Sequence, residues 1–140
     1  MKILLAVDGS EHAVRATRHV IASVRNCDKF EILLLNVQAP IDAPELRSHM
    51  PANEIEAMQE TCGGDALRPA RETLQQAGLT FIPTLLIGPI AESITRFAAE
   101  QGCEKIVMGR RGLGAIGSVM MGSVATEVLR LTDLPVTLVK

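Results

Sequence analysis

The sequence contains no tryptophan and no tyrosine, and only three of its 140 residues are phenylalanine. A bound base would therefore be held mostly by aliphatic side chains and backbone instead of by stacked aromatic rings. The three cysteines, Cys27, Cys62 and Cys103, are scattered and form no C-x-x-C pair. That distribution is typical of reduced cytosolic thiols and disfavours a disulfide framework or a zinc site.

Long apolar runs and a strong charge of one sign are also missing. No apolar stretch approaches the roughly 20 residues of a membrane span, and Met1 and Lys2 lead directly into a strand-like run. We therefore expect no signal peptide, no membrane association and a cytoplasmic location. The net charge of −2 gives no indication of a nucleic-acid partner. The length suits one domain over residues 1–140.

Short apolar runs alternate with helical patterns, which is typical of βαβ units. The predicted strands cover residues 3–7, 32–37, 80–87, 106–108 and 135–139. Proline inside the third strand, at position 83, places that strand at a sheet edge. With right-handed crossovers, this favours an α/β fold: an open, doubly wound, five-stranded parallel sheet of order 3-2-1-4-5 with helices on both faces. Winding then reverses between strands one and four, where ligands bind.

Glycines and prolines divide the chain between the second and third strands. From Gln38 to Pro51 the sequence predicts a loop, because prolines recur and no clean period is visible. The helical pattern that follows is expected to break at Gly63-Gly64. Pro69 would then fall in the first turn of a new helix, where its missing N–H costs nothing, and Gly78 would end that helix.

A glycine-rich segment from Gly109 to Gly122 follows the fourth strand and precedes the last predicted helix. Glycine permits positive φ and close approach to a ligand, and consecutive N–H groups that end at a helix N-terminus form an anion cradle. Ser123 could cap the helix or bind a phosphate oxygen, and Arg110 or Arg111 could add positive charge. The alternative is a flexible loop with an ordinary serine cap.

Three phosphate-binding motifs compete for this segment. The P-loop motif is absent. Residues 112–117 match G-x-G-x-x-G, but they follow the fourth strand and no acid lies at the expected distance beyond, which disfavours NAD. The pattern G-x2-G-x9-G-[S/T] is matched in full by Gly109, Gly112 and Gly122-Ser123.

This last motif, together with the opening strand and turn from Ile3 to Ser10, resembles the universal stress protein family over the whole chain, most weakly from Gln38 to Gly64. The resemblance implies a Rossmann-like fold, ATP binding with or without Mg²⁺, and a homodimer joined through the last strands. It implies that Asp8 contacts the ribose, that Val37 contacts the adenine, and that Met108 forms a wall of the base pocket. The full set of implied nucleotide-binding positions is Asp8, Gly9, Ser10, Val37, Met108, Gly109, Arg111, Gly112, Gly122, Ser123 and Val124. Arg110 departs from the family pattern, in which serine is common at that position.

Alternatives to nucleotide binding remain open for several of these residues. Asp8 could be the N-cap of the first helix, a role compatible with ligand binding. The spacing of the histidines does not predict a metal site, and the sequence does not show whether a metal ion is bound. No arrangement of residues typical of a catalytic site is visible. We predict a nucleotide-binding regulatory dimer; the alternatives are a slow ATP-hydrolysing or phosphate-transferring enzyme and a nucleotide-free dimeric scaffold. The dimer would form through the apolar last strand, at Val136 and Leu138, because an exposed apolar edge invites pairing.

Overall fold

A computed structural model describes residues 1–41, 48–112 and 121–140 of the chain. Within them, five strands alternate with four helices. In chain order these are β1 (Lys2–Ala6), α1 (Glu11–Val24), β2 (Glu31–Gln38), α2 (Ala52–Gln76), β3 (Ile82–Ile87), α3 (Ile90–Glu100), β4 (Lys105–Gly109), α4 (Ser123–Leu131) and β5 (Val136–Val139). Within the loop predicted from Gln38 to Pro51, Gln38 ends β2 and Ser48 and His49 are helical, so the prediction is wrong at these positions. Residues 42–47 of that loop and residues 113–120 of the glycine-rich segment lie outside the described residues.

All five strands are parallel and form one sheet of order β3-β2-β1-β4-β5, which confirms the predicted topology. Pro83 lies in β3, at one edge, where its missing N–H interrupts no central ladder. The chain reverses its winding between β1 and β4, so a crevice opens beyond the carboxyl ends of these two strands.

The strands are almost continuously apolar because helices cover both faces of the sheet. In β1, Ile3 and Leu5 point into one core layer beneath α1 and α2, while Leu4 and Ala6 point into the other beneath α3 and α4. This alternation follows from the period of two along a strand. Among the described helices, none combines the length and the apolar character that a membrane span requires.

The predicted break at Gly63-Gly64 is wrong: α2 runs unbroken from Ala52 to Gln76, with Pro69 inside it. A Cβ on Gly63 would overlap the side chain of Leu85 in β3, so the missing side chain lets the helix lie close to the sheet. Tertiary packing therefore outweighs the roughly 1 kcal/mol helix-propensity cost of each glycine.

The C-terminal end of α2 lies where Gly78 predicted it. Gly78 has φ +72, its N–H donates to Gln75 O at 3.0 Å, and the N–H of Leu79 donates to Leu74 O at 3.1 Å. These two bonds form a Schellman motif, which favours glycine because of the left-handed backbone.

Candidate functional site

The turn after β1 presents a carboxylate at the crevice. Asp8 Oδ1 accepts the backbone N–H of Ser10 at 2.9 Å, and Ser10 Oγ accepts the N–H of Ala13 at 3.2 Å. Ser10, and not Asp8, is therefore the N-cap of α1, so the N-cap interpretation of Asp8 is wrong. Gly9 has φ +87 and lies against the Cα of Ala66 in α2, so it shapes the turn.

A buried amide ties the ends of β1 and β2 together beneath the crevice. Asn36, only 2% exposed, donates from Nδ2 to Val7 O at 2.8 Å. Its Oδ1 accepts the Nε2 of Gln38 at 2.7 Å. Because a buried amide is costly without partners, these bonds fix the position of the strand ends from which the floor of the crevice is built.

The glycines after β4 bring the backbone close to the β1 side. A Cβ on Gly109 would lie 2.7 Å from the Cβ of His12, and one on Gly112 would overlap Asp8 Oδ2. Any side chain at either position would displace a neighbour across the crevice. These two glycines are required by close approach, since positive φ among the described glycines occurs only at Gly9, Gly78 and Gly102.

The N-terminus of α4 closes the far side of the crevice. Gly122 is the N-cap, with φ −72 and ψ 161 and no side-chain cap, and Ser123 is the first helical residue. Of the two roles suggested for Ser123, capping of α4 is therefore wrong. The N–H of Gly122 donates to Arg110 O at 2.9 Å, which joins the two ends of the glycine-rich segment. Among the residues that the structure describes, no side-chain cap accepts the first N–H groups of α4.

These elements enclose a cleft of about 590 Å³, within the usual range for small-molecule sites. Of the eleven predicted nucleotide-binding positions, nine line the cleft. They are Asp8, Val37, Met108, Gly109, Arg111, Gly112, Gly122, Ser123 and Val124. Gly9 and Ser10 lie in the adjoining turn and act on its shape and on the α1 cap.

The lining of the cleft includes two arginines. Arg110 and Arg111 both line it, and His12 lies beside Gly109. Desolvation, followed by the charges of Arg111, Arg15 and Arg110, lowers the pKa of His12 below 6.5, against a smaller raising effect of Glu11. In the described part of the chain, no group of three or more His, Cys, Asp and Glu side chains is arranged to hold a metal ion.

Sequence reasoning missed several lining residues. Ile90 and Ile94 of α3 form an apolar wall, and the backbone beyond β2 contributes Ala39. Gln59 of α2 supports that segment by donating from Nε2 to Ala39 O at 3.3 Å. A signal for Asn36 was available: it is the one polar residue within the otherwise apolar run of residues 32–37.

The chain matches the family model described as the universal stress protein family over residues 1–140. A universal stress protein from Thermus aquaticus is 34% identical, and the match covers 99% of this chain and 97% of that protein. The solved structure of protein MJ0577 from Methanocaldococcus jannaschii superposes with a TM-score of 0.83 at 27% identity, covering 99% of this chain and 94% of that one.

A solved family member from Arabidopsis thaliana with AMP bound has the same fold, with a TM-score of 0.70 at 22% identity, covering 100% of this chain and 91% of that one. The family model spans every element of the fold and both turns that form the cleft. From its sequence and its architecture together, this chain belongs to the universal stress protein family.

Proposed function

We propose that this protein binds an adenine nucleotide, ATP, in the cleft between β1 and β4 and acts as a regulatory protein in a stress response. The observation that carries the proposal is the convergence, in one cleft, of an apolar wall, the Asp8 carboxylate and an α4 N-terminus that lacks a side-chain cap. A nucleotide offers matching chemistry in its base, its ribose and its phosphates. The AMP bound to the Arabidopsis family member supports the choice of adenine.

The residues present fit such a ligand. Val37 and Met108 would enclose the base, and Asp8 would accept hydrogen bonds from ribose hydroxyls. Gly109 and Gly112 have no side chains, which leaves room for phosphates beside the backbone. Gly122 has no side chain to cap α4, so the N–H groups of the first turn and the hydroxyl of Ser123 would face those phosphates.

Ligand-dependent stability tests the proposal. ATP at 100 times its Kd should stabilise the folded state by about 2.7 kcal/mol, which for a domain of this size raises Tm by roughly 5–10 °C. Protein stripped of co-purified nucleotide should be used, with AMP and an inorganic phosphate control in parallel. No shift at millimolar ATP or AMP would overturn the proposal.

Assembly and location are parts of the same proposal. A homodimer would form through β5, near Val136 and Leu138, at an open sheet edge. The free thiols of Cys27, Cys62 and Cys103 are compatible with the reducing cytoplasm.

A further inference from the structure

The described residues that line the cleft carry two guanidinium groups and one carboxylate. Arg110 and Arg111 directly follow β4, Asp8 lies in the turn after β1, and all three residues line the cleft. One oxygen of Asp8 accepts the N–H of Ser10, and the other fills the space that a Cβ on Gly112 would take. A Mg²⁺ ion at a nucleotide site is usually held by one or two carboxylates together with phosphate oxygens. Here the single carboxylate already accepts the N–H of Ser10 and is assigned to the ribose, so among the described lining residues the two arginines remain for direct recognition of phosphate.

Two backbone hydrogen bonds fix the main chain of Arg110 at the cleft. Its N–H donates to Val139 O at 2.7 Å, and its carbonyl accepts the N–H of Gly122 at 2.9 Å. Arg110 is thereby held between β5 and the N-terminus of α4. Its buried Nε has no hydrogen-bond partner among the described residues, and a buried guanidinium N–H is costly unless an acceptor, best an anion, lies against it.

The charges of the two arginines also act on His12 of α1. It lies against Gly109, and the charges of Arg111 and Arg110 contribute, after desolvation, to lowering its pKa. The positive end of α4 adds to the two arginines, because Gly122 lies against Arg111. Three sources of positive charge therefore converge where the phosphates of a nucleotide would lie.

We propose that Arg110 and Arg111 neutralise the phosphate chain in place of a divalent cation, so that the cleft binds a metal-free nucleoside polyphosphate in preference to its magnesium complex. This inference rests on the proposed function, since it concerns the same cleft. A magnesium ion on the phosphates would compete with the two guanidinium groups for the same oxygens and would reduce the charge that attracts them.

The test is calorimetric titration with ATP in EDTA and with ATP in excess Mg²⁺, at matched ionic strength because exposed charges are screened by salt. We expect ATP to bind the wild type roughly tenfold more tightly in EDTA, about the effect of one charge-assisted hydrogen bond. Arg110→Ser should abolish this preference. Arg71→Ser, which removes the same charge from the exposed surface of α2, should retain it.

Titration of AMP in both buffers distinguishes a failure of the proposed nucleotide binding from a failure of the proposed preference for metal-free ATP. If AMP and ATP bind but the wild type prefers magnesium ATP, or if Arg110→Ser keeps the preference for metal-free ATP, the arginine inference is overturned and the proposed function stands. If neither nucleotide binds in either buffer, both are overturned. Unfolding curves of the two variants establish that each is folded.

Discussion

At the scale of single residues, two glycines of the cleft are constrained differently. A Cβ on Gly112 would overlap Asp8 Oδ2, whereas one on Gly122 would lie 3.5 Å from the Cα of Arg111, an ordinary contact. Gly122 also has a φ of −72, which any residue can adopt. The glycine at 112 is therefore needed to keep the carboxylate in place, whereas neither the backbone angles nor the described neighbours require a glycine at 122.

Alanine at each position distinguishes these roles. Gly112→Ala should displace the Asp8 carboxylate and weaken ATP binding by roughly tenfold or more, since a charge-assisted hydrogen bond contributes about 1.5–3 kcal/mol. Gly122→Ala should destabilise the nucleotide-free fold by less than about 1 kcal/mol and should weaken ATP binding less than Gly112→Ala does. Calorimetric titration and thermal unfolding measure both effects. Wild-type affinity in Gly112→Ala would contradict the role given to Asp8.

His12, beside the cleft, makes the stability of the fold depend on pH. Desolvation and the neighbouring arginines lower its pKa below 6.5 in the folded chain. As the pH falls through the unfolded-state value, the unfolded chain therefore takes up the proton more readily, and the free energy of unfolding decreases. This contribution is present above about pH 6.5 and is lost progressively below it.

A bound polyphosphate should reverse part of this effect, because its negative charge offsets the arginines beside His12. We expect the pKa of His12 to rise when ATP is added, as measured by NMR titration of the imidazole protons. His19, exposed on the same helix, is the internal control and should not respond. A His12 that responds no more than His19 would place the phosphates elsewhere.

At the scale of elements, α2 contains a matched pair of adjacent glycines. Gly63 is buried against Leu85, and a Cβ there would overlap the leucine side chain, whereas a Cβ on Gly64 would meet nothing within 4 Å. Gly64→Ala should stabilise the fold by about 0.5–1 kcal/mol through helix propensity. Gly63→Ala gains the same propensity but must displace Leu85, at a cost of about 1–3 kcal/mol.

Denaturant unfolding of the two variants measures this difference directly. The expected order of stability is Gly64→Ala above wild type and wild type above Gly63→Ala. Equal stabilisation by both substitutions would show that Leu85 moves aside without cost and that close helix–sheet packing does not explain the continuity of α2.

The same helix shows where sequence patterns reach their limit. Strand order could be predicted because apolar runs, crossover handedness and Pro83 all act locally or through general chirality rules. The continuity of α2 could not, since it depends on Gly63 meeting Leu85, a contact between residues of different elements. Local propensity favoured a break at Gly63, and tertiary packing outweighed it.

The cleft, too, could be predicted only in part from the sequence. Glycine spacing predicted which backbone segments approach each other, and those positions do line the cleft. The reason for each glycine was not available from spacing, because Gly112 is limited by Asp8 and not by its own φ. The hydrogen bonds of Asn36 to Val7 and Gln38 also depend on how β1 and β2 are paired, which only the folded sheet determines.

At the scale of the whole molecule, the two edges of the sheet differ. The β3 edge contains Pro83, which cannot donate to a further strand. On the other edge, the N–H of Ile106 donates to Pro135 O. Because backbone groups alternate along a parallel strand, the N–H of Thr137 also points toward β4, whereas that of Val136 points to the open edge. The β5 edge therefore has a donor and no charged residue within the strand.

Because of this alternation, proline substitution tests the proposed β5 dimer more specifically than side-chain substitution does. The side chains of Val136 and Leu138 are half-buried and pack against the core layer beneath α3 and α4, so lysine at either position would disturb the monomer as well. Proline at 136 removes an outward N–H while it keeps an apolar side chain against the core, and an edge strand tolerates it. Proline at 137 removes an N–H that points toward β4 and serves as the control.

We expect the wild type to sediment as a dimer at tens of micromolar and Val136→Pro to sediment as a folded monomer, because a two-fold pairing of β5 with its own copy loses hydrogen bonds on both sides of the axis. Thr137→Pro should instead lower the free energy of unfolding, since it removes a ladder bond within the protomer. Sedimentation velocity measures the mass, and circular dichroism during thermal unfolding measures the fold. A monomeric wild type, or a Val136→Pro variant that remains dimeric while folded, would show that the molecule does not assemble through β5.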